Sequence, residues 1–207
     1  MAGWVEWHQA YQQSGSSLSR RLEVVKSRLR SVLEVGPSPT ILSLCSGDGR
    51  DVIESLADYP LPTARAVLVE IDEELSERAK KSAEAHRLSN VEVRCADAGE
   101  VESFLDVIPV DVLLLCGIFG NIDHSTVRTI VPSLPLMVTV GGYVIWTRGG
   151  SAPDRRPEIR NWFVQAGLEE VAFDGAPEPF GVGLNRMTAP PSQDQRLPDR
   201  LFSFKAG

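Results

Sequence analysis

The chain has 207 residues, 43% hydrophobic and 24% charged, so it can bury a core and is not a disordered sequence. Lys and Arg number 21 against 28 Asp and Glu. The resulting net charge of −7 and pI near 5.1 argue against a broad basic surface for duplex DNA or long RNA. No run of about 18 apolar residues occurs, so no membrane-spanning helix is expected.

The length is that of a single domain with a short appendage. The opening residues, Met-Ala-Gly-Trp-Val-Glu-Trp-His, carry neither the charged nor the apolar region of a secretion signal. Cys45, Cys95 and Cys116 are odd in number, and two fall in apolar runs that read as strands. Their spacing fits neither zinc nor an iron–sulfur cluster. The expectation is a cytoplasmic protein with no disulfide and no metal.

Residues 1–36 read as a helical segment. Leu18, Leu22, Val25, Leu29 and Val32 recur at steps of four and three, one face of a helix, with Ser14, Ser16 and Ser17 as N-cap candidates. Gly36-Pro37-Ser38-Pro39 ends it. Strand and helix then alternate. Thr40–Cys45 is a strand, Asp51–Tyr59 a helix, Ala64–Ile71 a strand, Glu73–Leu88 a helix and Val91–Cys95 a strand. A helical turn at Glu100–Leu105 precedes the strand Val110–Cys116. His124–Val138 has helical spacing interrupted by Pro132 and Pro135. Val140–Thr147 is a strand, Arg156–Ala166 a helix and Glu169–Phe173 a strand. Gly181–Met187 and Leu201–Lys205 are two further strand candidates, separated by a Pro-rich loop.

This alternation predicts an α/β fold, a doubly wound and mostly parallel seven-stranded sheet (Rossmann-like) behind an N-terminal helical segment, with residues 37–207 as the main domain. Ligands of such sheets bind beyond the carboxyl ends of the strands, at the topological switch point. That places loops 45–51, 70–74, 96–100 and 116–124 at the ligand edge.

Leu42-Ser43-Leu44-Cys45-Ser46-Gly47-Asp48-Gly49-Arg50-Asp51 is the most informative stretch. Gly47 and Gly49 permit a sharp turn and a close backbone approach to a ligand. Val52 stands where a dinucleotide fingerprint has its third glycine, which disfavours a nicotinamide cofactor. Glu70 lies at the tip of the second strand, about 20 residues on, where a carboxylate can accept hydrogen bonds from both hydroxyls of a ribose. Asp72 reads better as a helix cap. Asp97, ending the third strand, can accept from an exocyclic adenine amine while the Ala98 amide donates to the ring.

Together these loops resemble those of the class I S-adenosylmethionine (SAM)-dependent methyltransferases, over roughly residues 38–175. Leu42–Gly49 is similar to the family's glycine-rich motif, Val69-Glu70-Ile71-Asp72 to its acidic motif and Ala96-Asp97-Ala98 to its adenine-site motif. Asp111–Gly117 is similar to the fourth strand with the loop beside the reactive methyl, and Gly141–Ile145 to the fifth strand. The resemblance implies SAM as cofactor, S-adenosylhomocysteine as product, and a cofactor site of Ser46, Gly47, Asp48, Gly49, Glu70, Ile71, Asp97, Ala98, Cys116 and Gly117. The chain departs from the family at Ser43, usually an acid, and at Cys45, usually a glycine that tolerates any φ. Asp48 and Asp51 are candidates to supply the missing carboxylate for the cofactor's ammonium group.

Methyl transfer from a sulfonium needs an acceptor lone pair held in line and water excluded, and a base only where the acceptor must lose a proton. His8 and His124 are the candidate bases. Trp7, Tyr11, Asn121 and Arg148 are candidate acceptor contacts. Trp4, Trp7, His8 and Tyr11 would share a helical face in a segment that closes over the site. The loop 116–124 lacks the Asn/Asp-Pro-Pro-Tyr pattern of amino-group methylation and an acidic pair suited to Mg²⁺. The expected activity is methylation of a small-molecule acceptor by a monomer or homodimer. The alternatives are a methyltransferase of RNA or protein and a non-catalytic SAM- or nucleotide-binding module.

Overall fold

The computed structural model describes residues 15–33, 38–58, 63–192 and 194–205. Helix α1 (Ser17–Leu33) follows the expected period and buries Val25, Leu29, Val32 and Leu33. Leu18 and Leu22, on the same face one and two turns earlier, are half-buried. The alternation follows in order: β1 (Thr40–Leu44), α2 (Arg50–Asp58), β2 (Arg65–Glu70), α3 (Glu73–Ala85), β3 (Val91–Cys95) and β4 (Val110–Leu115). Asp72 caps α3 as expected, its Oδ1 accepting the Leu75 N–H at 3.0 Å, with Glu73 and Glu74 in the first turn.

Helix α4 (His124–Ile130) passes directly into a 3₁₀ segment, Val131–Leu136. Pro132 and Pro135 have no N–H to continue an α-helical ladder, which accounts for the tightening. Strand β5 (Val138–Gly149), helix α5 (Arg156–Gln165), β6 (Leu168–Asp174) and β7 (Phe180–Met187) complete the described elements.

The seven strands form one sheet in the order β3-β2-β1-β4-β5-β7-β6. The first five are parallel, and β7 runs antiparallel between β5 and β6. Of the two tail candidates, the segment at 181–187 therefore completes the sheet. Leu201–Lys205 does not. It is an extended segment held to loops, with the Leu201 N–H donating to the Gly99 carbonyl at 2.8 Å and the Lys205 N–H to that of Asn121 at 3.0 Å.

Both faces of the sheet are covered over its centre, so β1, β2 and β4 are apolar on both sides, while the edge strand β3 carries Glu92 and Arg94 on its open face. Leu42, Val69 and Leu113 point into one cluster with Phe163 of α5. Ile41, Leu68 and Leu114 point into the other, with Leu29 of α1, Ile53 of α2 and Ala79 of α3. Trp146 locks the antiparallel edge. Its ring stacks on Phe163 at 5.2 Å, and its Nε1–H donates to Asn185 Oδ1 at 2.9 Å. The Asn185 amide reaches on to the Leu168 carbonyl at 3.1 Å, so one buried polar side chain ties β5, β7 and β6 together.

The chain leaves β1 outward to β2 and β3, then returns to β4 on the other side of β1. The crevice beyond the ends of β1 and β4 is the switch point of a doubly wound sheet.

Candidate cofactor and acceptor site

A cavity of about 310 Å³ opens at that switch point. Its floor is the ends of β1, β2, β3 and β4, and its sides are Arg21 and Leu22 of α1 and the tail residues Arg200, Phe202, Ser203 and Phe204. Within the 300–1,000 Å³ typical of small-molecule sites, its size is at the small end.

The loop after β1 is built by its glycines. Gly47 (φ +59°) and Gly49 (φ +68°) adopt left-handed conformations that other residues take only with strain. The Ser46 N–H donates to the Val69 carbonyl at 3.1 Å, fastening the turn to the tip of β2. The Gly49 carbonyl accepts the Ile53 N–H at 2.8 Å, which starts α2 at the cavity wall. Cys45 sits at φ +54°, a conformation that costs a residue with a Cβ about 1–2 kcal/mol. The turn geometry is therefore kept although the glycine is not.

Glu70, at the end of β2, is 6% exposed. Its Oε2 accepts the Gly47 N–H at 2.8 Å and its Oε1 the Asp72 N–H at 2.9 Å. Two backbone donors fix the carboxylate against the glycine loop, and burial pushes its pKa above the usual carboxylate range. Ile71 follows with 56% of its surface exposed, an apolar side chain left open on the cavity edge. Asp97 caps its own loop, its Oδ1 accepting the Gly99 N–H at 2.8 Å. Its Oδ2 accepts from the Arg200 guanidinium at 3.0 Å, and Arg200 also pairs with Glu100.

Beyond β4, the Gly117 N–H donates to Thr147 Oγ1 at 2.9 Å, and the Asn121 side-chain amide donates to the Gly117 carbonyl at 2.6 Å. These bonds hold Cys116, Gly117 and Asn121 against the cavity. Burial, with Asp51 nearby, raises the Cys116 thiol pKa, and burial with Glu70 and Asp97 raises that of Cys45. Both are poor nucleophiles in this setting.

Nine of the ten expected cofactor residues therefore line one cavity, as does Asn121. The tenth, Gly49, lies beneath the loop, where an added Cβ would stand 2.6 Å from Leu68 Cδ1. Two expectations are not brought in. Arg148 turns under the loop and donates to the Phe119 carbonyl, away from the cavity lining. His124 is the first residue of α4. Its Nε2 lies 2.5 Å from a Glu158 carboxylate oxygen, and its ring lies 4.7 Å from that of Trp162. Trp4, Trp7, His8 and Tyr11 lie outside the described residues.

The cavity also contains residues that sequence reasoning missed. Arg21 and Leu22 belong to the amphipathic face of α1, whose period carried a usable signal. Arg200, Phe202, Ser203 and Phe204 carried none, because they reach the site by non-local docking of the tail.

The lining offers an acceptor carboxylate, Glu70, beside an open apolar side chain, Ile71, a pairing that fits a nucleoside. Among the described residues the Ser46 hydroxyl is buried without a hydrogen-bond partner, an orphaned polar atom that a bound group would satisfy. The Glu70 carboxylate suits a vicinal diol and Ile71 a flat base. Among the described residues no cluster of three or more His, Cys, Asp or Glu side chains could hold a metal ion.

No protein-family profile matches the chain, and no curated protein is similar to it in sequence. Solved structures are similar in fold. An O-methyltransferase family protein from Burkholderia thailandensis superposes with a TM-score of 0.64 at 16% identity, over 83% of this chain and 56% of that one. An O-methyltransferase family 2 protein from Planctomyces limnophilus, solved with apigenin, gives 0.60 at 19% identity, over 82% and 59%. The 1,6-didemethyltoxoflavin-N1-methyltransferase of B. thailandensis, with its substrate and S-adenosylhomocysteine bound, gives 0.59 at 16% identity, over 81% and 78%. This chain thus spans a little over half the length of the first two. Sheet order, switch-point crevice and these superpositions agree: the chain has the fold of the class I SAM-dependent methyltransferases.

Proposed function

We propose that this protein is a SAM-dependent methyltransferase acting on a small-molecule acceptor. The observation that carries the reading is Glu70, a buried carboxylate fixed by the Gly47 and Asp72 amides between a glycine loop and an open apolar side chain. In this reading Glu70 accepts from the ribose hydroxyls, Ile71 and Ala98 flank the base, and loop 46–49 receives the amino-acid tail. Asp97 reaches the adenine amine by sharing its carboxylate with Arg200.

Bound SAM supplies a methyl group already activated by the sulfonium charge. The chain's own residues then have three tasks: to orient the acceptor, to exclude water and to accept a proton where one must leave. Cys116, Gly117 and Asn121 form the wall at the β4 end, with Leu22, Arg21 and Phe204 also in the lining. An aromatic ring, an aliphatic side chain and a guanidinium favour a flat acceptor bearing an acidic or hydrogen-bond-accepting group. The flat ligands of two neighbours, apigenin and 1,6-didemethyltoxoflavin, support the same class. Residues 1–36 would close this end, with His8 as the base for acceptors that carry a proton. Three free cysteines support a reducing, cytoplasmic setting.

The test is transfer of labelled methyl from SAM to a panel of small phenols, enols and ring-nitrogen heterocycles. Labelled product that is absent with Glu70→Ala supports the proposal. Retained SAM binding with no transfer to any small acceptor, protein or RNA would favour a binding module.

A further inference from the structure

The cavity contains a carboxylate that the fold alone does not account for. Asp51, the second residue of α2, is 9% exposed and lines the cavity. Its Oδ1 accepts the Val52 N–H at 2.9 Å. Among the described residues no side-chain donor bonds it. Asp48, the neighbouring carboxylate, is different: the Arg50 guanidinium grips both its oxygens. Ser43, where the family usually has an acid, is buried and absent from the cavity lining.

A buried carboxylate with only backbone partners is costly unless a cation meets it. We infer that Asp51 is the anionic contact for the cationic amino-acid end of the cofactor, relocated from β1 to the first turn of α2. The inference rests on the proposed cofactor and deepens it. Position supports it: Asp51 stands one turn from loop 46–49 and interacts electrostatically with Cys116, at the β4 end of the cavity. The charged and titratable groups that face it are Asp48 on its own loop, Arg21 on α1 and Cys116 after β4. Burial and, after it, Asp48 favour the neutral acid, the Val52 amide and more weakly Arg21 oppose them, and a ligand ammonium would tip the balance to the carboxylate.

Two nucleosides separate this contact from the rest of the site. S-Adenosylhomocysteine carries the amino-acid tail, and 5′-methylthioadenosine does not. Calorimetric titration of both into wild type and Asp51→Asn should show S-adenosylhomocysteine weakened about ten- to hundredfold, the range for a hydrogen bond to a charged group. 5′-Methylthioadenosine should change by no more than about twofold. Its binding also reports that the variant's pocket is folded.

A second measurement uses wild type alone. Asp51 titrates at about 6 without ligand. Below that pH the ratio of the two affinities should fall, because the acid loses its charge while the ligand's ammonium keeps its own. Glu70 meets the ribose of both ligands and cancels from the ratio. Equal weakening of both nucleosides with a pH-independent wild-type ratio, or no weakening of either, overturns the role of Asp51 and leaves the cofactor reading intact. Wild type that binds neither nucleoside overturns both.

Discussion

Gly49→Ala tests whether the glycine loop is held by packing as well as by backbone conformation. At φ +68° an alanine pays about 1–2 kcal/mol for the left-handed region. Its Cβ would also stand 2.6 Å from Leu68 Cδ1 and 3.0 Å from Ile53 Cδ1. Both neighbours are fully buried, one in β2 and one in α2, so neither can move aside freely. Overpacking of that kind adds about 1–3 kcal/mol, and the lost glycine entropy of the unfolded chain returns under 1, giving about 2–4 kcal/mol. Gly117→Ala is the control: its φ is +80°, and nothing lies within 4 Å of an added Cβ. It should lose only the backbone part less the same entropy return, under about 1.5 kcal/mol. Urea unfolding followed by tryptophan fluorescence measures both, with matching m-values as the check on two-state behaviour. A Gly49→Ala protein no less stable than Gly117→Ala would refute the packing argument.

Asp51→Asn should stabilise the ligand-free protein at alkaline pH while weakening the cofactor. The folded pKa of about 6, raised from 3.8 by burial, means the native state holds this proton more tightly. Stability from this group is therefore present below the unfolded pKa and lost as pH rises through about 6. Asparagine removes the loss, worth up to about 3 kcal/mol above that window, and thermal scans at several pH values read it. Cys45→Gly should leave stability unchanged or raise it by up to about 1 kcal/mol, because relief at φ +54° exceeds glycine's entropy cost; a clear loss in urea unfolding would show that the side chain's packing dominates. Gly99→Ala places a Cβ 2.3 Å from the Phe202 carbonyl oxygen, so limited proteolysis should cut the tail earlier than in wild type, and nucleoside binding should weaken. His124→Gln should leave nucleoside affinity within about twofold in calorimetry, since the ring bonds Glu158 outside the cavity lining.

The central sheet was legible because strands covered on both faces, β1, β2 and β4, read as short apolar runs and the edge strand β3 as a Val-Glu-Val-Arg alternation; β1 to β4 fall within about a residue of their expected ends. Pro132 and Pro135 marked the change of helix type correctly. Leu201–Lys205 misled for a physical reason. Its alternation of Leu, Phe, Ser, Phe and Lys is what a strand would show, but its hydrogen bonds go to the Gly99 and Asn121 carbonyls rather than to a neighbouring strand. Nothing local in the sequence reports that docking. The glycine loop and Glu70 were legible because their chemistry is local to strand ends. Arg148 was not, because a position at the end of β5 does not say whether the side chain reaches the cavity or, as here, the Phe119 carbonyl. Cys45 shows the limit of residue preference: the turn imposes φ +54° on a residue that resists it. The sequence does not separate Asp48 from Asp51; the structure pairs Asp48 with Arg50 and buries Asp51.

The most direct test of the account is calorimetric titration of S-adenosylhomocysteine into wild type and Glu70→Ala, with NADH as a control ligand. The account predicts micromolar binding to wild type, a loss of at least about tenfold with Glu70→Ala, and no heat from NADH. Wild type that does not bind S-adenosylhomocysteine, or Glu70→Ala that binds it as tightly, would contradict the cofactor site described here.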